Sequence, residues 1–470
     1  MNASSVLRQI GLTSALTGAL AFACVLFARV MGDAASARGL LMTGIFGLFI
    51  GGALLVALRD APSKTGAREG LLFVILFWIV TPFIAAPPFI SSGVADGWIQ
   101  AFFESTSNLT TTGATSGNGI QPDAIRLWRA MLQFIGGVTG VIISVVVLAA
   151  LNLTGPGIHR SHLLTLPKDD LFGRIERIAL TIGIVYGVAF LVGTFGLVLS
   201  GAGLLDSVTR TIAAVTTSTT LSDTGGVFDY SNSSIIIISF LLFFGATNVA
   251  IHSDILRRGG WRMYYKDGEG FALLAAVIIL TIGIWLVIQS VDFRYFAEAL
   301  SFVSTSGMNI TGVNGVTKVL PQPIPDIIAF VGGSALSTAG GLKISRVTVL
   351  MSRADAEFRR LSFANSKATL RFQGQSRKDN IVVGVWVYLI AYISATVFLG
   401  MLLALAGLSI EECFRTAIGA ISNTGTLVDT AVLDQAPSNL TLFLLSVGCI
   451  LGRVEVLALA PLFTLDFWRR

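Results

Sequence analysis

"NLTTTGAT", residues 108–115, sets three threonines and a glycine side by side between two long apolar runs. Hydroxyls and backbone carbonyls at that density can replace the water shell of a bare monovalent cation, as rings of oxygens do in selectivity filters. Glycine belongs in such a stretch because turning a carbonyl toward an ion often needs backbone angles closed to other residues. Three more clusters follow: "VTTSTTLSD" at 215–223, "STSGMNITG" at 304–312 and "SNTGT" at 422–426. One alone reads as an ordinary loop. Four at matching points of a repeat read as a ring of ligands, one loop per unit.

Two further features carry chemistry. "STAGGLKIS" at 337–345 interrupts an apolar run with small residues and paired glycines, which break a helix. At membrane depth such a break persists only where it is buried or lines a cavity, so it is either a plug below the filter or a small-residue packing site. Arg453 lies deep in the last apolar run. A charge there is expensive and by default functional. The competing reading, an ion pair with Glu455, requires two residues whose spacing puts them on different helix faces.

The elements that would position these residues follow from composition. Of 470 residues, 53% are hydrophobic and 13% charged, against roughly a quarter charged in a soluble domain; the mean hydropathy is +0.78. The apolar runs are long enough to cross about 30 Å of hydrocarbon, so the expected fold class is an all-α polytopic membrane protein. Two leading helices, about 7–31 and 38–58, precede four repeats of long helix, re-entrant half-helix with filter loop, and second long helix. The helices are expected at 71–90 and 129–151, 175–199 and 234–255, 271–291 and 326–351, and 381–405 and 440–467. The domain reading is 1–60, then repeats at 70–152, 171–256, 268–353 and 379–470. The C-terminal end of each half-helix would aim its negative dipole pole at a cation.

Basic residues gather in the links between repeats, including Arg160, Arg174, Arg257, Lys266, Arg353 and Arg377, whereas the loops bearing the clusters lean acidic, with Asp96, Asp206, Asp326 and Asp429. The positive-inside rule then puts both termini in the cytoplasm and the clusters outside. The basic balance reports topology, and no nucleic acid partner is expected. The basic 353–378 link could bind anionic lipid or dock a protein partner. Cys24, Cys413 and Cys449 show no metal or disulfide spacing, and His159, His162 and His252 are scattered. No convergent catalytic set lies within the membrane runs, which argues against an enzyme. A coupled small-solute transporter would call for inverted repeats, and the units here run in one sense.

Three stretches carry a family resemblance: "AFFESTSNLTTTGAT" at 101–115, "GGSALSTAGGLKISRVTVLM" at 332–351 and "LGRVEVLALAPLFTLDFWRR" at 451–470. Across essentially the whole chain, the sequence resembles TrkH-type pore subunits of the Trk/Ktr/HKT potassium transporter superfamily. The resemblance implies potassium uptake across a bacterial inner membrane, K+ as the only bound ion and no cofactor. It also implies a homodimer resting on a cytosolic ring of nucleotide-binding RCK subunits (TrkA-like). The implied filter comprises Thr110, Thr111, Thr112 and Gly113 in unit one and, counted from Phe302, Asn309, Ile310, Thr311 and Gly312 in unit three. Unit four supplies Ser422, Asn423, Thr424 and Gly425. Unit two departs, with Thr219, Thr220, Leu221 and Ser222 and no glycine; the equivalent is Ser222, or Thr220 if the loop is shifted. That departure leaves cation conduction better supported than potassium preference, so a sodium-permeable member of the same fold stays open. The implied gate is Ser337, Thr338, Ala339, Gly340, Gly341 and Lys343, with Arg453 facing the pore below the filter.

Overall fold

Apolar windows with so few charges fold as helices because only an internally hydrogen-bonded backbone is tolerated in lipid. A computed structural model describes residues 2–62, 66–117, 121–150, 171–219, 231–258, 260, 264, 268–311, 320–362, 371–372, 375–376, 379–433 and 437–454. Among them, seven helices are long and apolar enough to cross a membrane, or eight if one bent pair is a single span.

The leading pair is α1 (Ala3–Val30) and α2 (Ala34–Ala57), the second capped by Asp33, which accepts from Ser36 N at 2.9 Å. Small residues let the two backbones touch; a Cβ on Gly47 would fall 2.7 Å from the Ser14 carbonyl.

Unit one comprises α3 (Ala67–Ala85), α4 (Pro87–Ser91), the half-helix α5 (Trp98–Leu109) and α6 (Asp123–Ala150). Unit two comprises α7 (Leu171–Leu199), the half-helix α8 (Leu204–Val215), α9 (Asn232–Ala246) and α10 (Val249–Arg258). The expected continuous helix over 234–255 is thus two pieces, bent by 100°. Unit three comprises α11 (Gly268–Ile288), the half-helix α12 (Phe293–Val303), α13 (Ile324–Val331) and α14 (Ile344–Ser362). A two-strand hairpin, β1 (Arg371–Phe372) against β2 (Gln375–Ser376), stands in the following link with Arg371 opposite Ser376. Unit four comprises α15 (Asp379–Leu405), the half-helix α16 (Ile410–Ser422), a short α17 (Gly425–Leu433) and α18 (Asn439–Val454).

The half-helices form the middle of the molecule. Leu109, Val215, Val303 and Ile421, at or next to their C-terminal ends, are buried. The long helices α7, α11 and α15 instead leave Leu191, Ile279 and Ile390 exposed on the face available to lipid. The polar residues beside the half-helix ends, Thr110, Thr216, Ser304 and Ser422, are buried as well; polar turns inside and apolar helix sides outside is the order a water-lined passage through hydrocarbon requires.

Candidate ion-conduction site

The four half-helices end in the same turn. In unit one Thr110 caps α5, Thr111 has φ 62° and Gly113 has φ 75°. In unit three Ser304 caps α12, Thr305 has φ 61° and Gly307 has φ 65°. Thr217, with φ 50°, follows the cap Thr216 of α8, and Asn423, with φ 56°, itself caps α16. Hydrogen bonds fix the register. Gly113 N donates to Ser107 O at 3.0 Å and Ser107 Oγ to Ala114 O at 2.7 Å. Gly307 N donates to Ser301 O at 3.1 Å and Ser301 Oγ to Met308 O at 2.9 Å. A β-branched residue at positive φ is a true outlier. Each such residue costs on the order of 1–3 kcal/mol and is kept where strain serves a site. Three threonines and an asparagine hold that strained position here.

In two units this turn lies at other residues than those expected for the filter. In unit three the turn consists of Ser304, Thr305, Ser306 and Gly307; Asn309, Ile310 and Thr311 come after it, and Gly312 lies outside the described residues. The reason is Glu298 on α12, whose carboxylate accepts from Ile310 N at 2.6 Å and Thr311 N at 3.1 Å. Glu104 on α5 holds the same downstream segment in unit one, accepting from Ser116 N at 2.7 Å. Counting from Glu104 and Glu298 aligns Gly113 with Gly307; counting from Phe302 does not. In unit two the turn consists of Thr216, Thr217, Ser218 and Thr219, so Thr219 stands where units one, three and four have glycine. Thr220, Leu221 and Ser222 lie outside the described residues.

The turns close into a ring. Between units one and two, a Cβ on Gly113 would fall 2.6 Å from Thr219 O. Between two and three, Ser306 Oγ donates to Ser218 O at 2.7 Å, and Thr219 Oγ1 donates to Ser306 O. Between three and four, a Cβ on Gly307 would fall 2.4 Å from Thr426 Oγ1. Between four and one, Asn423 Nδ2 donates to Thr112 Oγ1 at 3.1 Å, and a Cβ on Gly425 would fall 2.3 Å from Thr112 O. Every neighbouring pair touches, and the oxygens of all four turns crowd one locus.

A buried charge cluster braces one side of the ring. Arg129 on α6 donates to Glu104 and, at 3.0 Å, to Thr115 Oγ1. Thr115 N in turn donates to Asp429 Oδ1 of α17 at 2.9 Å, tying unit one to unit four. Burial is the main force pushing the Asp429 carboxyl up to about 7, and nearby Glu104 adds to it against the Thr115 amide and Arg129. A small cleft lies beside this brace, lined by Asn108, Gly113, Arg129, Gln133 and Thr219.

The interruption in unit three runs over 332–343 and lies directly against the ring. A Cβ on Gly340 would fall 1.9 Å from Ser422 O, so only glycine fits there, and Gly340 N donates to Thr305 Oγ1 at 2.7 Å. Thr338 Oγ1 lies 3.2 Å from Val215 O and 2.9 Å from Gly245 O, and its hydroxyl accepts from Thr217 Oγ1 at 3.2 Å. Lys343, with φ 79°, donates to Ala339 O. The same segment satisfies the break in unit two: Val249 N donates to Leu336 O at 3.0 Å and Ser334 N to Ala246 O at 3.1 Å. Arg453 Nη1 donates to Thr338 O at 2.6 Å. Its guanidinium borders a cavity with Ser337, Ala339, Gly340, Gly341, Lys343 and Asn423. Glu455 lies outside the described residues.

A membrane protein of this build, with half-helices converging on one oxygen-lined turn and a broken helix beneath, belongs among pore-loop cation transporters. Residues 39–291 and 326–467 match the family model described as TrkH, cation transport protein, and the chain belongs to that family. It is 28% identical over 488 residues to the Trk system potassium uptake protein TrkH of Escherichia coli K12, covering 100% of both chains. It is 27% identical over 436 residues to the Trk system potassium uptake protein TrkG of the same strain, covering 89% of each chain. The crystal structure of the potassium transporter TrkH from Vibrio parahaemolyticus shares the fold, with a TM-score of 0.86 over 100% of both chains at 24% identity.

Proposed function

We propose that this chain is the pore subunit of a Trk-type potassium uptake system and passes dehydrated K+ through the ring formed by the four turns. The observation that carries this reading is the closed contact circuit from Gly113 to Thr219, Thr219 to Ser306, Gly307 to Thr426, and Gly425 back to Thr112. The ion-binding residues are then those at 110–113, 216–219, 304–307 and 422–425. Ser337, Thr338, Ala339, Gly340, Gly341 and Lys343 form the gate, and Arg453 anchors it through the carbonyl of Thr338. An arginine beneath a cation filter also raises the electrostatic barrier to the ion itself.

A sodium-permeable variant of the same pore is favoured by one feature, Thr219 in the glycine position. The basic links support a cytoplasmic location for both termini in the inner membrane. A homodimer on a cytosolic RCK ring is the assembly the family resemblance supports. Coupled transport of small solutes is disfavoured by membership of a cation transport family. Purified chain in liposomes, assayed for K+ and Na+ flux with and without the nucleotide-binding ring, tests the reading; retention of both ions under every condition would overturn it.

A further inference from the structure

At the fourth position of the turn, units one and three place glycines with φ 75° and 65°, whereas Thr219 in unit two does not adopt the left-handed backbone. Its two oxygens face different neighbours. The carbonyl accepts from Gln133 Nε2 of α6 at 3.0 Å. The hydroxyl donates to Ser306 O of unit three and lies 2.9 Å from where Gly425 of unit four would carry a Cβ.

Gln133 is buried and both protons of its amide nitrogen are committed. An amide NH2 has two protons; one goes to Asn108 Oδ1 at 2.9 Å and the other to Thr219 O. Asn108 is itself fixed, donating from Nδ2 to Glu104 O at 2.8 Å. A buried chain of amides therefore holds the Thr219 carbonyl toward α6 and leaves its hydroxyl reaching toward units three and four.

We infer that unit two contributes the Thr219 hydroxyl, not its carbonyl, to the cation's ligand layer, and that Gln133 is the positioning residue enforcing this. The assignment rests on the pore reading above. A hydroxyl that donates to Ser306 O keeps lone pairs for a cation, so the layer combines one adjustable side-chain oxygen with backbone oxygens from the other units.

The test is the K+/Na+ permeability ratio of the full chain in liposomes under opposed gradients, for wild type, Thr219→Val, Gln133→Met, Thr219→Gly and the Gln133→Met/Thr219→Gly double variant. Thr219→Val, which removes the oxygen at constant shape, shifts the ratio by about threefold or more, the scale set by losing one oxygen contact. Gln133→Met shifts it comparably in the wild-type background and has no effect on it beside Thr219→Gly, where the freed backbone no longer needs restraint. An unchanged ratio in Thr219→Val, or an equal Gln133→Met effect in both backgrounds, overturns the assignment. The Thr219→Val arm decides the matter even if Gln133→Met does not assemble. Wild-type chain passing neither ion would sink the pore reading itself, and this assignment with it.

Discussion

Arg453 Nη1 and the carbonyl of Thr338 stand 2.6 Å apart, joining the last helix to the interrupted helix of unit three directly beneath the ring. The contact ties a fixed positive charge to the segment proposed above as the gate. Arg453→Ala should therefore raise cation flux, since both the charge and the tether go; conduction rises about tenfold for each 1.4 kcal/mol of barrier removed. Flux at equal reconstituted protein measures it. Unchanged or lower flux from assembled protein would show that Arg453 is structural.

Removing 337–341 should raise basal flux further, because Gly340 packs on Ser422 O and Thr338 bridges toward Val215, Gly245 and Arg453. Proteoliposome flux without the cytosolic ring checks this. A deletion variant as quiet as wild type would contradict the gating role.

Gly113→Ser and Gly307→Ala should both lower the K+/Na+ ratio. Each would add a Cβ at positive φ and drive it into an adjacent turn, at Thr219 O and Thr426 Oγ1 respectively. Ile310→Val should leave the ratio alone, since the Ile310 amide serves Glu298 and its side chain packs in the apolar core rather than in a turn of the ring. A ratio that responds to Ile310 and ignores Gly307 would restore the register counted from Phe302.

Glu104→Gln should destabilise the protein by about 3 kcal/mol or more, the scale for stranding one partner of a buried ion pair, because Arg129 and Glu104 are both buried. Thermal unfolding in detergent reads this out. A shift too small to resolve would mean the cluster is hydrated.

Asp429 gives a pH dependence with a defined sign. Its carboxyl is raised from 3.8 to about 7 in the folded protein. Its stabilising contribution is therefore complete below the unfolded value and lost as pH rises through about 7. Wild type should lose thermal stability across that window relative to Asp429→Asn. Parallel pH profiles for the two would contradict the shift.

Much of this architecture is legible in the sequence. The spans at α1, α2, α7, α11 and α15 announce themselves because lipid demands uninterrupted apolar windows. The interruption of unit three shows through its paired glycines. The bend between α9 and α10 does not, because its ends are satisfied by Leu336 and Ser334 of another unit, a tertiary partnership with no local trace. Unit three misleads for a physical reason: "NITG" has the composition of a filter turn, and only the spacing from Glu298 reveals that its amides serve a carboxylate. Unit two misleads likewise, since Thr217 takes the left-handed turn without a glycine nearby to advertise it.

Whether the four turns share one axis and bind one bare monovalent cation there is read most directly by anomalous diffraction from Rb+-soaked crystals. A Rb+ peak is expected enclosed by oxygens of 110–113, 216–219, 304–307 and 422–425. Active protein with no peak at that locus, or with Rb+ bound only elsewhere, would contradict that arrangement.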